Sequence, residues 1–276
     1  MRTWALLLLI LPLSGCLEDG NPFNGSDGPD PWVEPALADA TIRPGVAIGD
    51  PGFCTANFLF LDADGATVYV GTAAHCVSDS ADDSATSSTN TDGCDPVNLP
   101  YEPETVQVDV EGADHMAVLA YNSWWTMQAR GETDAATCAD NDFALLRLHP
   151  DDAARAHPSM LGFGGPTGIA QDEAAGDVLY TFGATTLRPG DDRLDARQGL
   201  LLIAGDWSHT ALIATPGLPG DSGSAVIRDD GAAVGVLTTV AVAPVPASNG
   251  IADIGRLLSY AQDAGMDIEL LTAPLA

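Results

Sequence analysis

The sequence predicts an all-β domain of the barrel or sandwich kind, preceded by an export leader and a polar tether. Two observations carry the fold class. From Ile42 onward, short apolar runs alternate with turn residues, and helical periodicity is absent between them. The composition agrees: 46% of residues are apolar, and 29 glycines and 19 prolines supply turns rather than disorder. The first set of strands is Thr55–Leu61, Thr67–Val70, Thr105–Val110, Met116–Tyr121 and Phe143–Leu148. The second is Val178–Phe182, Leu200–Ala204, Thr210–Ala214, Ser224–Arg228 and Ala233–Thr239, with Asp229-Asp230-Gly231 as a hairpin turn. Near the end, Ile254, Leu257, Leu258 and Ala261 recur at i, i+3, i+4 and i+7, which predicts an amphipathic helix over 251–264 that stops at Gly265. Residues 78–98 are dominated by Ser, Thr, Asp and Asn and read as a surface loop. Trp124-Trp125 reads as packing under a hairpin rather than as a binding platform.

The N-terminus lies outside this domain. Arg2 precedes an apolar run, Trp4–Leu13, that is too short to span a bilayer. It ends in Leu13-Ser14-Gly15-Cys16, which resembles the lipobox of prokaryotic lipoproteins. That resemblance implies removal of residues 1–15 as a signal peptide and lipidation of Cys16. Residues 16–41, rich in Gly, Asp, Asn and Pro, then form a flexible tether, and 42–276 the folded domain. The cysteines are Cys16, Cys54, Cys76, Cys94 and Cys138; with Cys16 lipidated, four remain for two disulfides in an oxidising compartment.

A formal net charge of -29 over 276 residues, with all ten basic residues arginine, repels nucleic acid and anionic lipid and disfavours both as partners. Two readings of the acid excess stand: adaptation to high salt, or an ordinary acidic exported protein. His115, His149, His157 and His209 have no metal-ligand spacing and read as solvated surface residues. The Asp-rich stretch 79–95 lacks a spaced calcium loop, so no metal or other cofactor is expected.

Three motifs carry chemistry. They are Thr72-Ala73-Ala74-His75-Cys76 after one strand, Asp142-Phe143-Ala144-Leu145-Leu146 opening another, and Pro219-Gly220-Asp221-Ser222-Gly223-Ser224 before a hairpin. A serine hydroxyl needs a base to become a nucleophile, a histidine can be that base near neutral pH, and a carboxylate can hold its tautomer. Taken together and in this order, the motifs resemble those of chymotrypsin/trypsin-like serine peptidases, from about Ile42 to Leu258, and more closely the compact prokaryotic members. The order His, Asp, Ser distinguishes them from subtilisins and α/β-hydrolases.

The resemblance implies two antiparallel β-barrels, about 42–150 and about 165–245, with a C-terminal α-helix and the site between the barrels. It implies a catalytic triad of His75, Asp142 and Ser222 and an oxyanion hole from the amides of Gly220 and Ser222. It implies a disulfide Cys54–Cys76, which leaves Cys94 and Cys138 to pair. The same alignment places Pro216, Thr238, Thr239 and Val240 at the substrate. Pro216 stands where trypsins carry an aspartate, so cleavage after Lys or Arg is not expected, and Val240 resembles the narrowed pocket of elastases.

The chain departs from the family at Ile42-Arg43-Pro44-Gly45, which is not the usual activated N-terminus. Asp221 is left to meet Arg188, Arg193 or solvent. The implied function is a monomeric serine endopeptidase acting on protein or peptide substrates at the cell envelope, either broadly or on one envelope protein. The rival is a catalytically silent binding module that keeps the fold.

Overall fold

The computed structural model describes residues 30–49, 54–80, 91–111, 115–188, 195–241 and 245–276. Residues 1–29, with the leader, Cys16 and most of the tether, lie outside the described residues, as do 81–90 of the polar segment and Arg193. The chain divides into Met1–Asp30 and a second unit, Pro31–Ala276, which contains everything below. Among the described residues no helix is long and apolar enough to cross a membrane.

The N-terminal half builds β1 (Ala47–Ile48), β2 (Cys54–Thr55), β3 (Leu59–Asp62), β4 (Val68–Thr72), β5 (Ser78–Ser80), β6 (Asn98–Pro100), β7 (Gln107–Asp109), β8 (Met116–Asn122) and β9 (Ala144–Leu148). Among the described residues three short α-helices accompany them: α1 (Ser123–Arg130), α2 (Ala135–Asp140) and α3 (Pro150–Ala153). β3, β4, β9, β8 and β7 lie side by side in that order. The sheet closes through β1, which pairs with β2 and meets the end of β7 through Gly49 N to Asp109 O (2.9 Å) and Glu111 N to Ala47 O (2.9 Å).

The C-terminal half comprises β10 (Gly168–Ile169), β11 (Val178–Phe182), β12 (Ala196–Ile203), β13 (Ser208–Ile213), β14 (Ala225–Arg228), β15 (Ala232–Ala241) and β16 (Ser248–Asp253). Here β15 pairs with both β14 and β16, so β11, β12, β13, β16, β15 and β14 form a closed antiparallel barrel. α4 (Ile254–Asp263) follows, and β17 (Ile268–Leu270) returns to pair with β3 of the first barrel.

Inward alternation fills each barrel. Ile42, Ile48, Leu59, Val70, Leu119 and Leu146 occupy the first, and Leu179, Leu201, Ile213, Val226, Val234 and Ile251 the second. A third buried cluster, with Phe58, Phe60, Phe143, Met160, Ile227 and Leu257, belongs to both barrels and α4 and fixes one against the other. The fold is the all-β double barrel with a C-terminal helix that the sequence predicts.

Several details differ from the expectation. The second barrel runs to Asp253, because 248–253 is a strand and α4 starts only at Ile254. Asp253 accepts the Arg256 amide at 2.7 Å and so caps the helix. Trp124 and Trp125 lie not under a hairpin but on α1, whose first amides are capped by Asn122 Oδ1. The expected tether also ends early: Trp32 donates its indole N–H to Ala153 O at 2.8 Å and packs against the first core. The described flanks of the polar segment are structured, with β5 paired to β6. One amide, Gln128 Nε2, donates to the carbonyls of Gly93, Asp95 and Asn98.

Disulfides join Cys54 to Cys76 and Cys94 to Cys138. The second spans 44 residues and ties the polar segment to α2, just before Asp142. Replacing Cys94 and Cys138 together by alanine should lower the unfolding free energy by about 2–4 kcal/mol, from the freed loop entropy of the unfolded chain. Urea unfolding followed by tryptophan fluorescence measures it.

Candidate active site

Strand pairing brings the first two motifs together. In the β4–β9 ladder Thr72 faces Ala144, so the residues just after β4 and just before β9 meet. His75 sits in a short 3-10 turn, Ala74–Val77, and Asp142 precedes β9. Asp142 Oδ2 lies 2.6 Å from His75 Nδ1, and its Oδ1 accepts the His75 backbone N–H at 2.9 Å. Nδ1 therefore carries the proton and Nε2 presents its lone pair away from the carboxylate. Asp142 is buried, while the imidazole keeps 21% of its surface exposed. Trp124 stands beside it, with ring centroids 6.3 Å apart. Asp140, the competing carboxylate, does not bond His75, whose described carboxylate partner is Asp142; burial raises the Asp140 pKa, with the nearby Ser208 side chain opposing.

Burial alone would lower the His75 pKa; the adjacent Asp142 charge and hydrogen bond outweigh it, and the net direction is upward from 6.5.

The serine loop docks on the same place from the second barrel. Ser222 O accepts the Thr55 amide at 2.8 Å, with Cys76 Sγ 3.9 Å away, so Ser222 lies against the disulfide that follows His75. Among the described residues no hydrogen bond joins the Ser222 hydroxyl to His75. Gly220 (φ +100°) and Gly223 (φ +88°) have the left-handed backbone that favours glycine. A Cβ on Gly223 would also stand 2.4 Å from Thr55 O and 2.5 Å from Thr72 Oγ1, so the close approach of the barrels requires glycine there. The amides of Gly220 and Ser222 donate to no protein acceptor among the described residues.

Asp221, fully buried, takes its Oδ1 bond from Arg188 Nη1 at 2.9 Å, and Arg188 Nη2 pairs with its Oδ2. Arg197 Nη1 approaches Oδ2 at 3.2 Å, and the Leu218 amide donates to it at 2.7 Å. Burial pushes the Arg197 guanidinium down to about 10. Asp195 adds a second carboxylate, 3.4 Å from Arg188. The described partners of Asp221 are thus Arg188, one of the candidates, and Arg197, which sequence reasoning missed. Ile42 lies elsewhere: it is buried in the first core, and its amide bonds Arg155 O at 3.1 Å.

The residues expected at the substrate lie around one strand edge. Pairing of the serine loop with β15 ends at Leu237, whose carbonyl and amide meet Gly223 and Ser224. Beyond it Thr239 and Val240 pair with Gly250 and Asn249 of β16, Thr238 forms a bulge between Leu237 and Thr239, and nothing described pairs with these residues on the other side. Val240 is exposed, Thr238 and Thr239 are half-buried, and Pro216 is half-buried on the facing segment. A buried residue that sequence reasoning missed joins these parts: Asn249 accepts the Gly217 amide at 3.4 Å and donates to Thr239 O at 3.2 Å.

The other histidines correct the sequence reading, because only His149 is exposed. His115 pairs with Asp152 at 2.7 Å, His157 with Glu34 at 2.9 Å and His209 with Asp253 at 3.1 Å, all three rings buried. Glu173, His209 and Asp253 come within reach of one ion. However, His209 Nδ1 accepts the Gly205 amide at 3.3 Å, so Nε2 holds the proton that faces Asp253 and has no lone pair for a metal.

The two barrels, with a histidine–carboxylate pair and a serine loop at their junction, define the architecture of chymotrypsin-like proteases. The model of the trypsin-like peptidase domain matches residues 52–236, well over half the chain, and the chain belongs to that family. Among solved structures it is similar to the Nocardiopsis protease NAPase, at 14% identity and a TM-score of 0.50, covering 83% of this chain and 98% of that one. Thermobifida fusca protease A compares likewise, with 15% identity, a TM-score of 0.50 and coverage of 84% and 98%. No curated protein sequence matches the chain.

The His75–Asp142 pair makes a pH prediction. Because its folded pKa is raised, the pair's stabilising contribution is full below the unfolded value, near 6.5, and is lost as pH rises through the raised value. Imidazole NMR should place the His75 midpoint above 6.5, and Asp142→Asn should move it downward.

Proposed function

We propose that this protein is a serine endopeptidase that hydrolyses peptide bonds through an acyl-enzyme. The observation that carries the reading is the two-point grip of Asp142 on His75 beside a serine loop whose Gly220 and Ser222 amides are left undonated. Ser222 Oγ attacks the peptide carbonyl carbon as His75 Nε2 takes its proton, with Asp142 stabilising the imidazolium. The Gly220 and Ser222 amides receive the oxyanion. When the tetrahedral adduct collapses, the C–N bond breaks and the imidazolium gives its proton to the leaving amine. Water then enters by the same route and releases the acid. This chemistry requires no cofactor. The unbonded Ser222 hydroxyl is compatible with it, since such contacts tighten when substrate binds.

The open edge at 238–240 suits an extended peptide added as a further strand. Exposed Val240 and the strut of Asn249 favour small or medium apolar residues before the scissile bond, with Lys and Arg excluded by Pro216. The pairing of Asp221 with two arginines favours a chain competent without cleavage before Ile42. Tethering through Cys16 would hold it at the cell envelope as a monomer.

Covalent labelling by a fluorophosphonate probe tests the chemistry. The chain should label without prior cleavage, and Ser222→Ala or His75→Ala should abolish labelling. A folded, disulfide-bonded chain that never labels would instead be the silent binding module. Among peptide p-nitroanilides, alanine should be preferred before the scissile bond, and Val240→Gly should raise kcat/KM for phenylalanine relative to alanine by about tenfold, the scale on which a few methylenes are discriminated.

A further inference from the structure

The serine loop is held at its carbonyls. Thr185 Oγ1 donates to Pro219 O, and Thr55 Oγ1 donates to Gly220 O at 2.7 Å. Ser224 Oγ donates to Asp221 O at 2.6 Å, with the Ser224 amide on the same oxygen, and the Thr55 amide holds Ser222 O. Every carbonyl from 219 to 222 thus has a donor. In a trans peptide the C=O and the following N–H point in opposite directions. Holding Pro219 O against Thr185 therefore turns the Gly220 N–H away from Thr185, and holding Asp221 O turns the Ser222 N–H away from Ser224. Those are the two amides that no protein acceptor takes.

We infer that Thr185 is a positioning residue for the oxyanion hole, acting through the orientation of the Pro219–Gly220 peptide. This rests on the proposed peptidase reading and adds a residue to it. Thr185 suits the task because it is buried and over-determined. Its hydroxyl also accepts the Leu187 amide at 3.2 Å, which leaves its proton for Pro219 O. Gly220 packs directly on it, since a Cβ there would stand 2.9–3.0 Å from Thr185 atoms. The neighbouring Ala184 amide donates to Thr55 Oγ1 at 2.9 Å, so the two threonines brace each other across the barrels. Three residues along the chain, Arg188 holds Asp221. One segment, 184–188, thus grips the serine loop at a carbonyl and at a carboxylate. Without the Thr185 hydroxyl the Pro219–Gly220 peptide can turn over, placing a carbonyl where the developing oxyanion needs a donor.

The test compares Thr185→Val, which keeps the shape and removes the donor, with Thr185→Ser, which keeps the donor. Both are made in the full chain and assayed on an alanine-terminated peptide p-nitroanilide and with a fluorophosphonate. Thr185→Val should lower kcat and the labelling rate by about tenfold to a hundredfold, somewhat less than deletion of an oxyanion donor, with KM within about twofold. Thr185→Ser should restore most of the rate. A peptide aldehyde, which forms a tetrahedral adduct, should weaken in parallel with kcat, whereas a non-covalent product peptide should bind as before. A merely structural role would not separate these two ligands. Should the valine variant not fold, Thr185→Ala gives the same readings. An active wild type whose donor-free variant keeps its kcat, or loses aldehyde and product binding equally, overturns the inference alone. A folded wild type that neither turns over nor labels overturns the peptidase reading and this inference with it.

Discussion

A carboxylate without solvent exposure must be paired, and Asp221 is paired on every side. Leaving such a charge uncompensated would cost several kcal/mol, so the fold keeps Arg188, Arg197 and the Leu218 amide around it. These partners come from the segment after β11, from β12 and from the serine loop itself. Meeting the demand of one charge therefore fixes three pieces of backbone. The two guanidiniums raise a demand of their own, which Asp195 shares by pairing with Arg188. The conformation of residues 218–224 follows from this arrangement together with the glycines at 220 and 223, whose positive φ the loop requires.

Thr55 performs the corresponding task between the barrels. Its amide holds Ser222 O, its hydroxyl holds Gly220 O and takes the Ala184 amide, and its carbonyl receives Thr72 Oγ1. Thr72 ends the strand that leads to His75, and Cys54, the neighbour of Thr55, is bonded to Cys76. The histidine and the serine are thus referred to one short strand, although they belong to different barrels. For the proposed chemistry an error of an ångström between these groups would be expensive. The shared aromatic cluster around Phe58, Phe60 and Phe143 supplies the stiffness that keeps it small.

What was legible in the sequence was local or patterned. Alternating strands are visible because one face of each is buried, and the three motifs are visible because each is a short run beside a strand. Strand 248–253 was not legible: Ser248-Asn249-Gly250 has little β character, and the helical spacing downstream masks it. Helix α1 was hidden because its defining feature is the cap from Asn122, whereas two tryptophans suggest a strand. Burial of His115, His157 and His209 depends on Asp152, Glu34 and Asp253, partners far away in sequence. Arg197 gives no local signal for the same reason, since its carboxylate partner Asp221 is distant in sequence. Thr185 and Asn249 leave no signal at all, since a threonine or an asparagine acquires its meaning only from the carbonyl it meets.

The charge imbalance bears on the same chemistry. Arg147, Arg188, Arg197, Arg228 and Arg256 each face a carboxylate, and with 39 acidic against ten basic residues the net field is strongly negative. A negative field opposes an oxyanion and favours a protonated imidazole, and both effects work against acyl transfer at neutral pH. Local dipoles can offset a diffuse field only if they are held in place before the charge appears. Carbonyls tied along the whole of 219–222 provide that rigidity. Distant carboxylates are screened over about 10 Å at 0.1 M salt, whereas the buried amides and the Asp142–His75 contact are screened far less. For the proposed acyl transfer, added salt should therefore weaken what opposes the reaction more than what promotes it, and an acidic surface and a tightly held serine loop are compatible parts of one design.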